Sequence, residues 1–416
     1  MIEICSSLSR LIVFHILILV GFFAVAQESS TDLSAELRFR YEQADDSVND
    51  VANAYTGRLA LKWEGGNNLL RAIIEIEHVS AFLGEEYNDG GSNRKTEYAV
   101  IADPVGTEIN QGYLLFDVNE DWDIRLGRQE LAHRAYPWQR YAGTVSWRQN
   151  EQTMDALLVS FLGDVKLDVH GAFIKNVNRI FGENNEIPTR ANFELDGLML
   201  TGNYEVTENI KLDAFLFNLD FDEATHLSSN TIGSRVDGSI PMDNNFRILY
   251  GAEFAWQEPK SDGLESTTYR MIQGGIQNSA VKLLLKNELL GSDGSNSFQT
   301  PLATLHIHQG WADRFLATPA RGVSNTAFNA SGKLGDVKCT FEFNAYSSDE
   351  GGHDYGSEFG TSCSYSWVEG SVLSGWTIGA KFTSFSADTG GAMDAGISLN
   401  DTNKFWFWFQ RNFDLN

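Results

Sequence analysis

Basic residues recur at alternate positions of strand-length segments: Arg38 and Arg40 with Glu42, Arg58 with Lys62, and Arg71 with Glu75 and Glu77. Farther along, Arg125, Lys166, Arg247, Arg270, Lys282, Lys286 and Lys381 are read on the same polar phase. Guanidinium groups fork onto carboxylates, so several in series can bind an anion and pass it on. The alternative is cross-strand pairing, in which these groups serve only as internal ion pairs. The inferred inward bases outnumber the inward acids in a chain whose net charge is -25. That contrast favours an anion path, because low-dielectric walls focus the field of enclosed charges.

Other chemistry is less well supported. His306 and His308 stand two apart and would share one face of a strand, but no carboxylate or cysteine nearby completes a metal-ligand set. His133 and His170 are candidate bases, yet no nucleophile–base constellation accompanies them, and the chain reads as a non-enzyme without a cofactor. Cys339 and Cys363 flank Gly351-Gly352 symmetrically. They keep phase with Phe341 and with Tyr365, which puts them on one face of a hairpin, where a disulfide or two free thiols would fit.

The elements that must carry these residues alternate greasy and polar side chains. In Arg247–Gln257, Ile248, Tyr250, Ala252, Phe254 and Trp256 share one face, while Arg247, Glu253 and Gln257 share the other. Candidate strands are Leu33–Gln43, Tyr55–Glu64, Leu69–Val79, Glu108–Val118, Asp121–Glu130, Thr153–Leu162, Val165–Lys175, Phe193–Val206 and Ile210–Leu219. They continue with Phe246–Gln257, Thr267–Ile276, Val281–Leu290, Leu302–Gln309, Val337–Tyr346, Thr361–Val368, Trp376–Phe385, Ala395–Leu399 and Lys404–Phe413. Tight turns such as Asn119-Glu120 alternate with long connections such as Ala81–Thr107 and Asp220–Asn245. The expected fold is all-β: a transmembrane antiparallel β-barrel of about 18 strands, outer-membrane type.

Composition bounds the rest. Arg10, the apolar run Leu11–Phe23 and Ala24-Val25-Ala26 form a secretion signal over residues 1–26, leaving 27–416 as the barrel. The apolar run is shorter than the roughly 20 residues a membrane helix needs. Seven prolines, 38 glycines and no Pro/Ser/Gln linker suit one closed barrel better than several soluble domains. The acidic balance excludes nucleic acid as a partner. The expected location is the outer membrane of a Gram-negative bacterium, among outer-membrane lipid and lipopolysaccharide.

Several segments carry a family likeness. They are Arg38-Phe39-Arg40-Tyr41-Glu42, Asn110-Gln111-Gly112-Tyr113-Leu114, Leu126-Gly127-Arg128-Gln129, Ser146-Trp147-Arg148-Gln149-Asn150 with Asp155-Ala156, Phe298–His306, and Gly310-Trp311-Ala312-Asp313-Arg314-Phe315. In this order they resemble the alginate-export family of outer-membrane barrels. The resemblance implies an 18-stranded monomeric barrel, a lumen narrowed by loops and lined with arginines, and a polyuronate cargo. Carried over, Arg40, Arg128, Arg148 and Arg314 would line the lumen, with Asp155 and Asp313 as pairing carboxylates. Where that family usually has a lysine and an aromatic after the histidine, this chain has Ile307-His308. The expectation is a passive channel for an anionic saccharide, alginate or its oligomers, with periplasmic export partners if the direction is outward. A general diffusion porin and a surface-binding barrel without transport are the alternatives.

Overall fold

The computed structural model describes residues 30–134, 139–163, 166–242, 245–368 and 370–415; the expected signal segment lies outside them. The strands are β1 Ser30–Asp45, β2 Ala52–Gly66, β3 Leu70–Ala81, β4 Gly106–Asn119, β5 Trp122–Gln129 and β6 Thr153–Leu162. Then come β7 Leu167–Asn178, β8 Asn192–Thr207, β9 Ile210–Phe221, β10 Ser229–Pro241, β11 Arg247–Pro259 and β12 Thr267–Gln277. The last six are β13 Val281–Leu290, β14 Val323–Leu334, β15 Val337–Ser347, β16 Asp354–Ser366, β17 Trp376–Ala387 and β18 Thr402–Asp414. Each pairs antiparallel with its sequence neighbours, and β1 pairs with both β2 and β18, closing an 18-stranded barrel. Closure leaves no free strand edge, which a lipid environment requires.

Alternation sets which side of the wall each residue faces. Along β11, Phe254 and Trp256 point outward and are exposed, while Glu253 and Gln257 are buried inward. The aromatic β18 uses both sides: Phe405, Phe407 and Phe409 follow the outward phase, and Trp406 is fully buried inside. Cys339 and Cys363 lie directly opposite each other on β15 and β16, in the outward phase of Phe343, and are joined by a disulfide.

The expected count of strands is met by a different set. Leu302–Gln309 is not a strand; it belongs to the long connection between β13 and β14 and contains a single helical turn, Leu305–Ile307. Ala395–Leu399 also lies outside the sheet, after a short helix Thr389–Asp394. Two strands were hidden instead: β10, inside what reads as one long loop, and β14. Both have weak alternation, because Ser234, Gly238, Ala330 and Gly332 replace large apolar residues.

Three long connections fill the bore from the end opposite the short turns. Residues 82–105 pack over the ends of β1 and β2, with Tyr87, Ala99 and Ile101 against Ala44, Ala52 and Ala54. Residues 130–134 and 139–152 enter the lumen together with residues 291–322, joined by a bridge between Ala142 and Leu302. The Gln152 amide reinforces that joint, donating to the carbonyls of Gly143 and Leu302 at 2.8 and 2.9 Å.

Candidate functional site: a loop bridge across the lumen

The joined loops touch two unlike walls. On one, Tyr141 packs on Phe215, Phe217 and Tyr269, and Leu302 and Phe298 belong to the same apolar cluster. The inward phases of β6–β9 and β12 supply that cluster with Met154, Ile174, Leu195, Met199 and Met271. On the other wall, formed by β17, β18, β1 and β2, the contacts are charged. Tyr141 and Arg148 lie seven positions apart along the chain, so this segment spans the bore.

At the charged wall the guanidinium of Arg38 donates to the carbonyls of Ser146 and Arg148 at 3.1 and 3.0 Å. Arg40 donates to the Trp147 carbonyl and to the Asp103 carboxylate, which descends from loop 82–105. Arg148 forks onto both oxygens of Glu42 at 3.1 and 3.0 Å and reaches Asp313 at 3.2 Å. Asp313 also accepts from Lys404 at 2.8 Å. Its φ of 59° lies in the left-handed region, as does the 53° of β-branched Val145, so both loops turn sharply where they meet the wall.

A cation cage completes the joint. Lys381 Nζ lies 3.9 Å from the centroid of Trp311, 4.3 Å from Trp147 and 5.1 Å from Trp406. It donates to His306 Nε2 at 2.6 Å, while His306 Nδ1 faces Asp313 at 2.8 Å. An ammonium on Nε2 and a carboxylate on Nδ1 fix the neutral imidazole with its proton on Nδ1. Burial, then the Lys381 charge, holds His306 down to about 3. Burial pushes Asp313 up, but Lys404, His306 and Arg148 together keep it well below the usual carboxylate range.

An acidic group marks the feet of loop 130–152. Oxygens of Glu75, Glu130 and Glu151 lie within 4.8 Å of one another, the one such carboxylate group among the described residues that could hold a metal ion. The amides of Asn110 and Gln111 donate to Glu75, each at 2.9 Å, and reach Glu151 and Glu130. Arg58 faces the group, 3.7 Å from Glu75 and 3.5 Å from Glu151. Burial, with the charges of Glu151 and Glu75, pushes Glu130 up to about 7.

The structure therefore brings Arg40, Arg148 and Asp313 together and leaves the other expected site residues apart. Arg128 and Asp155 pair at 2.9 Å, but they follow the phase of the exposed residues Leu126 and Leu157, toward the outer surface. Arg314 stands half-buried near Asp46, and its Nε has no hydrogen-bond partner among the described residues. Arg270, read as inward, points outward with Ile272, because Tyr269 and Met271 are the buried positions of β12. His306 and His308 are not a strand pair. His306 joins the cage, while His308 lies beside Lys286 and Glu288.

The inward cations are also more neutralised than their number implied. Arg134 meets Asp213 and Glu253, Arg140 meets Glu288 at 2.9 Å, and Arg71 meets Glu64 and Asp117. Sequence reasoning missed Asp103, Trp147, Trp311, Lys404 and Trp406 as partners. The Trp147-Arg148 pair lay within a quoted motif, and Lys404 is in phase with Trp406 on β18. Nothing in the sequence ties Asp103 to Arg40.

No protein-family model matches this chain, and no curated protein of similar sequence was found. Solved structures do match. OccD3 (OpdP) of Pseudomonas aeruginosa is 12% identical with a TM-score of 0.69, covering 93% of this chain and 92% of that one. OccAB2 of Acinetobacter baumannii is 14% identical with a TM-score of 0.70, covering 93% and 98%. OpdO of Pseudomonas aeruginosa is 10% identical with a TM-score of 0.68, over 93% and 98%. These neighbours share the barrel architecture and leave alginate export unsupported. The fold shared with them is a closed 18-stranded antiparallel β-barrel.

Proposed function

We propose that this barrel is a selective diffusion channel for small carboxylate-bearing solutes, sugar acids and short oligouronates among them. The observation that carries this reading is the loop bridge. A bore crossed by its own buried ion-pair network is narrowed to pass small molecules. Arg38, Arg40 and Arg148, the arginines at the charged end of the bridge, already hold protein carboxylates and carbonyls, which disfavours a continuous rail for a long polyanion. Half-exposed groups remain along the lumen toward the short-turn end: Arg71 with Glu64 and Asp117, and Arg125 with Asp123. Such mixed sites bind weakly and release readily, as conduction requires.

Liposome swelling tests this. Proteoliposomes in an isotonic uronate should swell several-fold faster than in a neutral sugar of equal size, and millimolar diuronate should reduce ion current in planar bilayers. Equal rates for both solutes would make the barrel a general diffusion porin, and absence of any conductance would remove the channel reading.

A further inference from the structure

The outer face of β8–β12 carries a diagonal groove. Five outward residues follow one another across adjacent strands in register: Gly202, Ala214, Ser234, Phe254 and Arg270. The first three are small and form a floor. The neighbouring outward rows are large, with Leu200, Leu216 and Ile232 on one side and Tyr204, Leu212 and Val236 on the other. Two adjoining hollows of about 630 and 800 Å³ lie along it.

The floor is open for reasons the barrel itself does not supply. A Cβ built on Gly202 would meet nothing nearer than the Asp168 carbonyl at 4.0 Å, and φ there is not positive. By contrast, a Cβ on Gly233 would strike Phe215, and one on Gly379 would strike Trp408. Those glycines serve the protein's own packing, whereas Gly202 leaves space for something outside it.

Arg270 ends the groove. It is exposed, its register partners are Phe254 and Leu289, and no carboxylate pairs with it among the described residues. The other outward cations near the long-loop end are compensated, Arg128 by Asp155 and Lys175 by Asp196. An uncompensated guanidinium on a lipid face is costly at mid-membrane and tolerated near the interface. Arg270 is the fourth residue of β12 from the long-loop end. Long loops face outside, so this level belongs to the outer leaflet.

We propose that the groove binds one lipid A molecule, with an acyl chain along Gly202, Ala214 and Ser234 and a phosphate on Arg270. Four strand spacings give the row a length of about 19 Å, enough for a chain crossing half of a roughly 30 Å hydrocarbon layer. The planar guanidinium fork matches a phosphate, and small residues let an acyl chain lie close to the backbone. A fixed cation at outer-leaflet depth selects lipid A over a zwitterionic glycerophospholipid, whose ammonium partly cancels its phosphate.

Native mass spectrometry of the full barrel in detergent, titrated with lipid A, tests the site. The wild type should hold one lipid A per chain. Arg270→Gln should weaken it at least tenfold, Ala214→Trp should remove it, and dephosphorylated lipid A on the wild type should behave as lipid A does on R270Q. Unchanged heat-modifiable mobility on gels would show that both variants fold. Equal retention by all three proteins, or equal competition by phosphatidylethanolamine, would overturn the proposal. So would a wild-type dimer that A214W converts to monomer without altering lipid retention, since a second copy would then occupy the groove.

Discussion

The loop bridge is held at its two ends by different forces. At the β8–β12 side, Tyr141, Phe298 and Leu302 are buried among Phe215, Phe217 and Tyr269, and apolar area dominates the contact, with Arg134 on Asp213 and Glu253 as its charged edge. At the β17–β2 side the same loops end on Arg38, Arg40, Arg148, Lys381 and Lys404, and the contact depends on charges that have lost their water. An apolar contact tolerates changes of salt and pH and fails when a side chain is deleted. A buried ion pair adds little net stability while whole, because desolvation offsets attraction, but breaking one partner leaves the other charge stranded. The charged end is therefore where the bridge is most easily released.

Arg148→Ala should have the largest effect. It takes both short hydrogen bonds from Glu42, which is 1% exposed, leaving only Arg40 at 3.5 Å, while Asp313 keeps Lys404 and His306; the loss should approach the about 3–5 kcal/mol of a broken buried pair. The expected outcome is a bridge detached from the charged wall: single-channel conductance rises and uronate discrimination falls, while the barrel keeps its heat-modifiable mobility. Tyr141→Ala attacks the other end and should cost about 3 kcal/mol of loop docking, as removal of a buried aromatic does. Its conductance increase should be the same at low and high salt, whereas the smaller defects of the charged end should grow with salt. If both variants leave conductance unchanged, the bridge does not limit the passage.

The contrast between the two walls also decides what could be read from the sequence. β1, β2 and β11 alternate bulky apolar and charged residues, so their existence and facing were legible within a few residues at each end. β10 was invisible because Ser234 and Gly238 sit where large outward residues would be expected, and Ser234 is also part of the floor of the outer groove. Leu302–Gln309 reads as a strand because Leu302, Leu305 and Ile307 are apolar, but the burial of Leu302 and His306 comes from docking inside the lumen. A loop packed in a barrel has the hydrophobicity of a core without a strand's pairing. Arg40 and Arg148 were legible as inward or loop arginines. Glu42 and Asp313 were legible as carboxylates for them, but Asp103 was not, since the three converge from separate connections and strands and no local spacing encodes such a meeting.

Acid sharpens the comparison at the charged end. His306 is held at about 3 against an ordinary 6.5, so the undocked loop binds more protons between those values. Docking should weaken as pH falls from about 6.5 toward 3, and protonation of Asp313 should add to the loss below 3.8. Glu130 acts with the opposite sign: a carboxyl raised to about 7 favours the docked foot at lower pH and loses that advantage as pH rises through 7. Its residue is exposed although its carboxyl sits against Glu75 and Glu151, so water screens it, and the His306 effect should dominate. Conductance recorded at pH 7 and pH 4 should rise at the lower value in the wild type, and His306→Gln should flatten the response. Y141A should leave the sign of the response intact.

The cage offers a finer division. Lys381→Met keeps the length of the side chain and removes its charge from the three indoles and from His306. The expected loss is about 2 kcal/mol, the upper part of the range for a desolvated cation–π contact. With the ammonium gone, nothing on β17 opposes an imidazolium, so the acid response of K381M should begin at a higher pH than that of the wild type. An unchanged onset would mean that burial alone holds His306 neutral.

Arg128→Ala should have the smallest effect of all, although Arg128 and Arg148 look alike in the sequence. Arg128 pairs with Asp155 on the outward phase, with side chains 22% and 36% exposed, whereas the Arg148–Glu42 pair is 8% and 1% exposed. Water reaches both members of the first pair, so the remaining carboxylate is resolvated when the guanidinium leaves. Such pairs contribute about 0.2–1 kcal/mol. Conductance, salt dependence and pH response should all match the wild type. A clear rise in current for R128A would mean that the outer rim at β5 and β6 controls the passage, and the contrast between the two walls of the bore would lose its functional meaning.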